Sequence, residues 1–385
     1  MNRSYVLSFG IVALGLVGLM LLNISRFDWN ASALLHVSRE FGEAYSVPEG
    51  TVLYEDGGYD GMLYMQIARD IPEIFLGAPT YDHAYRWQRI LLPALASLLS
   101  MGNDSALPFV LLGVNVASVL GALFLFLALA GKPNIHAFTL VGNPAALVGI
   151  LFSLTEPLAL FFTMLFLFFW KKSGERVTWG GAPALALALL ARETTVLLTI
   201  PLLFLPFQYS AEYWNKRFRN IFLLCLSFLP FALWMLFLTN HFDTFPWETN
   251  EGMLALPFSG ILSLLQHTAA SPNAYVLSSA AFFLLFFLPL IAALVSECLR
   301  APQRGAPTTM ILGTILAFFL FLDAHIWNVL TSVGRVIPAL YPIYALWALE
   351  HDSRKTRSLS AALILVSTTV AIGIALSPHP FTIAP

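Results

Sequence analysis

Five stretches of this chain, Tyr5 to Leu22, Leu107 to Ala130, Ile221 to Asn240, Tyr275 to Cys298 and Leu359 to Ser377, are almost free of charge. Each approaches or exceeds the ~20 apolar residues a helix needs to cross ~30 Å of hydrocarbon. A water-soluble fold is excluded, and the chain is expected to be an all-α polytopic membrane protein. Composition agrees: 58% of the 385 residues are apolar and 11% charged, against roughly 25% charged in soluble chains. A net charge of −2 offers no basic surface to gather phosphates, so nucleic acid is not an expected partner. Cys225 and Cys298 lie in predicted spans and are expected to pack there rather than form a disulfide framework. The first apolar run follows Arg3 and ends in Asn23-Ile24-Ser25-Arg26, without a small-x-small cleavage pattern. It is expected to be a retained first span over 5–24.

Residues 25–89 form the one long polar segment, with ten acidic and five basic residues between Arg26 and Arg89. Its aromatic residues, among them Tyr45, Tyr54, Tyr59, Tyr64 and Trp87, argue against disorder and for short helices on the membrane surface. Lys and Arg near span ends accumulate on the cytoplasmic face. Lys171-Lys172 with Arg176, Lys216-Arg217 with Arg219, Arg300 with Arg304, and Arg354-Lys355 with Arg357 are therefore expected inside. That puts 25–89 and the loop from Asp243 to Pro272 outside. Parity then asks one apolar piece between the helix at Leu107 and the Lys171 cluster to stop short of a full crossing; Ile135 to Leu154, broken at Gly142-Asn143-Pro144, is the candidate. Trp179 to Phe207 should be two short helices meeting at Arg192-Glu193-Thr194 near the outer face. The remaining segments, over 90–378, bring the expected total to about eleven or twelve.

Several chemistries are absent from the sequence. It has no glycine-rich dinucleotide fingerprint, no phosphate loop ending in Gly-Lys-Ser/Thr, no His-Glu-x-x-His pair and no Asp-x-Asp. A membrane-borne substrate is the simpler expectation. The densest polar constellation is Tyr54-Glu55-Asp56-Gly57-Gly58-Tyr59-Asp60-Gly61, followed by a short helix that Pro72 should stop. Two carboxylates four residues apart flank a glycine pair, and rings beside carboxylates suit a sugar. Asp60 also stands where a helix N-cap belongs, accepting the amide of Met62 or Leu63, which is the plain structural alternative for it. For Asp56 the alternative is a solvated loop charge.

Asp60-x-x-x-Tyr64-x-x-Ile67-Ala68 resembles the Trp-Asp…Tyr…Ile-Ala stretch of the GPI mannosyltransferase family, membrane glycosyltransferases of the GT-C superfamily. Tyr85-Arg86-Trp87-Gln88-Arg89-Ile90-Leu91-Leu92-Pro93 resembles that family's entry to its second span. Asn143-Pro144-Ala145 with Phe152-Ser153-Leu154-Thr155-Glu156-Pro157 resembles its Asn-Pro…Tyr-Ser-Glu run, and Ala191-Arg192-Glu193-Thr194 its helix-end Arg motif. The pairing of Gly-Tyr-Asp-Gly with Tyr-Arg-x-Gln-Arg-Ile-Leu is also similar to bacterial cell-surface glycopolymer proteins. The resemblance covers Tyr54 to about Thr195. Tyr59 replaces the usual Trp and Leu154 a common Tyr, so mannose specificity is not carried over.

Charges inside hydrocarbon cost on the order of 3 kcal/mol each on insertion scales and tend to mark a site. Glu156, Arg192, Glu193, Asp323, His325 and Arg335 qualify, all near outer helix ends in the expected topology. Arg192 and Glu193 could instead satisfy other buried groups, and Asp323 or His325 could be a wetted helix end. Trp327, Tyr341 and Tyr344 are expected in the interfacial belt. The resemblance implies a GT-C-like bundle that takes a sugar from a polyprenyl-phosphate donor to a surface glycan or lipid-linked acceptor, in a bacterial inner membrane. Asp60 is the expected base, with Asp56 second. Arg192, Arg335, Arg86 and Arg89, in that order, are expected to meet the lipid phosphate, with Tyr59, Tyr64, Glu156 and Glu193 completing the site. A divalent metal shared by Asp56 and Asp60 is an open option. The competing class is a transporter or flippase of lipid-linked glycans.

Overall fold

The computed structural model describes residues 3–55, 57–77, 79–204, 214–248, 252–300 and 307–377. Asp56 and Arg304, singled out above, lie outside the described residues. The charge-poor stretches fall in five helices long and apolar enough to cross a membrane: Phe9–Phe27, Asp104–Ala130, Phe218–Phe242, Ala274–Leu299 and Arg354–Leu376. Shorter helices pack among them, notably Glu156–Lys172, Gly181–Ala191, Val196–Phe204, Pro307–Phe319 and Leu340–Glu350. The strands among the described residues are one parallel pair, Val37–Ser38 with Leu53–Tyr54. The protein is the all-α, multi-pass bundle expected.

The ends of these helices follow from local chemistry. Pro108, Pro144 and Pro157 occupy first turns, where a missing N–H costs nothing. Asn143 caps its helix by accepting from the Ala146 amide, and Ser353 with Thr356 forms a capping box. Glu156 opens and Lys171-Lys172 close one helix, each charge set against the favourable end of the dipole. Helices Leu107–Ala130 and Glu156–Lys172 touch closely at Gly121, where a Cβ would stand 2.7 Å from the Phe161 ring. Trp87, Trp170 and Trp327 fill the interior, while Leu14, Phe109 and Leu365 are more than 60% exposed on the bundle's flank. Such an apolar exterior suits lipid.

Two polar ends result. At one, Lys171 pairs with Glu175 at 2.6 Å and with Glu350, and Asp352 joins Arg357 (2.7 Å) and His136 (3.2 Å). At the other lie residues 25–89, folded into short helices around a buried Asp70 that accepts from the Tyr81 amide (2.7 Å) and Thr80 (2.7 Å). The helices Gly181–Ala191 and Val196–Phe204 meet at the Arg192 corner, as expected from sequence.

Three expectations are corrected. Segment 135–154 does cross from end to end: His136 touches Asp352 at the Lys171 end, and the Phe152 carbonyl lies against Gly61 beside Asp60. Its break is tolerated because Thr139, Asn143 and Ser153 are fully covered by protein. The piece that fails to cross is helix Leu91–Ser100, only ~15 Å long at 1.5 Å per residue. Asp104 just beyond it pairs with Arg69 at 2.9 Å, returning the chain to the loop before the next helix begins. Second, Trp327, Tyr341 and Tyr344 are not a belt but are fully buried; Tyr341 donates to the Gly334 carbonyl, and Tyr344 shares a 2.9 Å bond with Ser360. Third, Cys225 and Cys298 are exposed on the flank rather than packed inside.

The positive-residue pattern predicts the Lys171 end in the cytoplasm, which labelling tests. With both native cysteines replaced, a Lys172→Cys variant in intact cells is expected to resist an impermeant thiol reagent. A Glu49→Cys variant should react. The reverse pattern would invert the orientation.

Candidate active site

Asp60 is the first residue of helix Asp60–Arg69, after Tyr59 in extended conformation (φ −145°, ψ 171°). Its side chain does not cap that helix, so the capping alternative is set aside. It lies instead in a fork: Arg86 Nη1 donates to Oδ2 at 3.0 Å with its Nη2 3.0 Å from Oδ1, and Arg335 Nη2 donates to Oδ2 at 3.2 Å. Gly61 makes this placement possible, because a Cβ there would collide with the carbonyls of Phe152 and Leu35.

From Asp60 the charges continue in alternating sign. Arg335 Nη1 donates to Glu156 Oε1 at 2.7 Å, and Arg192 Nη1 stands 2.9 Å from the same oxygen. Arg192 Nε lies 4.0 Å from Glu193, whose two oxygens receive Arg89 Nε (2.9 Å) and Nη2 (2.7 Å). Arg89 completes its donors on the hydroxyls of Tyr64 (3.1 Å) and Tyr85 (2.8 Å). The order along the network is thus Arg86, Asp60, Arg335, Glu156, Arg192, Glu193, Arg89. Four guanidinium groups face three carboxylates, leaving one positive charge in excess. Rings complete the walls: Arg335 lies 5.1 Å from the Tyr59 centroid, and Arg86 and Arg89 lie 5.3 and 5.1 Å from that of Tyr85.

Side-chain donors fasten the segments that hold these groups. Thr194 donates to the Val336 carbonyl at 2.7 Å, fastening the Arg192 corner to the Arg335 segment. Trp234 donates to the Trp87 carbonyl (2.8 Å) and Trp247 to Gln88 Oε1 (2.9 Å), fixing the turn that carries Arg86 and Arg89. A cavity of about 130 Å³ opens on the network, lined by Asp60, Tyr85, all four arginines, Met253, His325 and Ser332 among others.

All nine described candidates, Tyr59, Asp60, Tyr64, Arg86, Arg89, Glu156, Arg192, Glu193 and Arg335, therefore meet in one place. They are not equivalent. Arg89 is 1% exposed and donates to Glu193, Tyr64 and Tyr85, while Glu156 is 0% exposed with Arg335 and Arg192 both at its Oε1. Arg86 is 26% exposed and Arg335 11%, both facing the cavity. Asp323 caps a short helix and pairs with His325 at 2.8 Å on the cavity rim, which is the wetted-helix-end alternative. Tyr85 and Ser332 also line the cavity; Tyr85 opens the Tyr85–Pro93 run, whereas nothing in the sequence marks Ser332.

Burial alone would raise the Asp60 carboxyl, but the guanidinium groups of Arg86 and Arg335, with Arg89 and Arg192 behind them, hold it well below the usual carboxylate range. The group is ionised and, while forked, a poor proton acceptor. Both oxygens of Asp60 are held by arginine, and Asp56, the other ligand of the metal option, lies outside the described residues. Among the described residues no three His, Cys, Asp or Glu side chains converge as metal ligands.

No family model matches the chain, and no curated protein matches it in sequence. The resemblance to GPI mannosyltransferases accordingly rests on the motifs alone. In structure the chain is similar to ArnT from Cupriavidus metallidurans, solved in the apo state, with a TM-score of 0.51 at 11% identity over 97% of this chain and 77% of that one. At that identity the likeness is one of fold.

Proposed function

We propose that this protein is a GT-C type glycosyltransferase that moves a sugar from a polyprenyl-phosphate donor to a glycan or lipid-linked acceptor at the outer face of a bacterial inner membrane. The observation that carries the reading is the Asp60 carboxylate forked between Arg86 and Arg335 at a cavity with one excess positive charge. The ArnT-like fold and the motif order support it.

The chemistry follows from what each group can trade. A donor phosphodiester carries one negative charge, matching the surplus of the site. Its oxygens compete with Asp60 for Arg86 and Arg335, whose planar forks suit phosphate as well as carboxylate. As the arginines turn to the phosphate, Asp60 loses the charges that depressed its proton affinity and becomes a usable base. The acceptor hydroxyl then attacks the anomeric carbon and its proton passes to Asp60. The carbon–oxygen bond to phosphate breaks, and the electron pair leaves with polyprenyl phosphate, whose added charge the same two arginines meet. In this reading Arg86 and Arg335 take the role first expected of Arg192. Arg192, Glu156, Glu193 and Arg89 hold the frame, and Tyr59, Tyr64 and Tyr85 wall it. Asp56 remains the second candidate for the base.

A flippase of lipid-linked glycans would also need buried charge, and turnover separates the two. Purified protein in lipid, given a polyprenyl-phosphate-sugar pool and membrane acceptor, is expected to release free polyprenyl phosphate and extend the acceptor by one residue. Movement of intact donor across the bilayer without release would favour the flippase.

A further inference from the structure

A second cavity lies at the opposite end of the bundle from Asp60. It occupies about 1070 Å³ between the helices Ala274–Leu299 and Arg354–Leu376. Its walls are apolar: Leu285, Pro289 and Ala293 on one helix, Leu359 and Ala362 on the other. From Leu285 to Ser296 the lining spans twelve residues, eleven rises of 1.5 Å or ~16 Å of helix. That is close to half of a ~30 Å hydrocarbon core, the depth of one leaflet.

The mouth differs in chemistry. Arg354 and Lys355, the first two residues of their helix, line it, are exposed, and have no ion-pair partner among the described residues. The one carboxylate in the lining, Glu297, is already engaged by His351 (2.7 Å), Trp347 (3.0 Å) and Thr309 (3.1 Å). Ser353 and Thr356 are spent on the capping box. Two free cations therefore stand at headgroup level above a leaflet-deep apolar slot, beside the positive end of a 23-residue helix.

We propose that this groove is a binding site for an anionic phospholipid, with the phosphate on Arg354 and Lys355 and the acyl chains between the two helices. Unpaired cations near a membrane surface favour anionic headgroups, by roughly fivefold in affinity per charge. Neutral lipids share the tails but not that attraction. The site is remote from Asp60 and stands whether or not the proposed glycosyl transfer is correct.

The test uses the full chain, delipidated in detergent, with native mass spectrometry and thermal unfolding as readouts. Phosphatidylglycerol is expected to remain bound and raise the unfolding temperature, while phosphatidylcholine binds at least about tenfold more weakly. The double variant Arg354→Gln/Lys355→Gln, at exposed positions that leave the capping box intact, should lose that preference. Ala293→Phe, which fills the slot with the charges in place, should reduce binding of both lipids. Equal binding of the two lipids, unchanged preference in the double variant, or displacement of the lipid by glycerol 1-phosphate at similar concentration would overturn the proposal. So would self-association of the protein that closes the groove in the absence of lipid.

Discussion

Asp60→Asn is expected to reduce sugar transfer by roughly 100- to 10,000-fold, the usual loss when general-base assistance is removed. Asn is close to Asp in size, and it keeps a carbonyl oxygen for one of the guanidinium donors that now reach Asp60. Because Asp60 does not cap its helix, no capping energy is lost either. Membrane abundance should stay close to that of the parent, and donor binding should persist, since the amide competes less well than a carboxylate for Arg86 and Arg335. Transfer assays on Asp60→Asn and Asp56→Asn, each normalised to protein in the membrane, distinguish the candidates. Full activity in the first and loss in the second would move the base to Asp56. Full activity in both would remove the loop from the chemistry.

Glu156→Gln should do the opposite, damaging the fold before the chemistry. Glu156 is fully buried and carries half the charge balance of Arg192 and Arg335. Neutralising it leaves uncompensated charge inside the bundle, and breaking a buried pair in this way costs about 3–5 kcal/mol. Against a typical net stability of about 5–15 kcal/mol, that is enough to deplete the protein from the membrane. Quantitative blotting and thermal unfolding in detergent check it. A stable variant that is merely inactive would instead place Glu156 among the groups that contact substrate.

The site was more legible in the sequence than its internal wiring. Charges in apolar surroundings are costly enough to stand out singly, so Glu156, Arg192 and Arg335 could be picked without knowing their neighbours. Which arginine meets which acid depends on how distant segments dock. Asp60 and Arg335 are 275 residues apart in sequence, and nothing local pairs them. Local rules also misdirect where two environments share a signature. An aspartate before a short helix looks like a cap whether or not a guanidinium claims it, and Tyr341 or Tyr344 looks the same in a belt as in a core. The crossing error had a related cause: a Gly-Asn-Pro break suggests an incomplete span, but cover from surrounding helices lets the backbone pass, while the unbroken Leu91–Ser100 is simply too short.

The late position of Arg335 also orders the assembly of the protein. During synthesis Asp60 and Arg86 emerge together, and Glu156 with Arg192 can pair inside the growing bundle soon afterwards. Arg335 follows Glu156 by 179 residues and Asp60 by 275, which at about 5–20 residues per second is a wait of roughly 15–55 s for Asp60. Until then the front and back halves of the chain share no charge contact at this place, and Asp60 and Glu156 each lack one guanidinium. Insertion of Arg335 joins both carboxylates at once. It works as a keystone: the charge network cannot close on a nascent chain that has not yet reached residue 335.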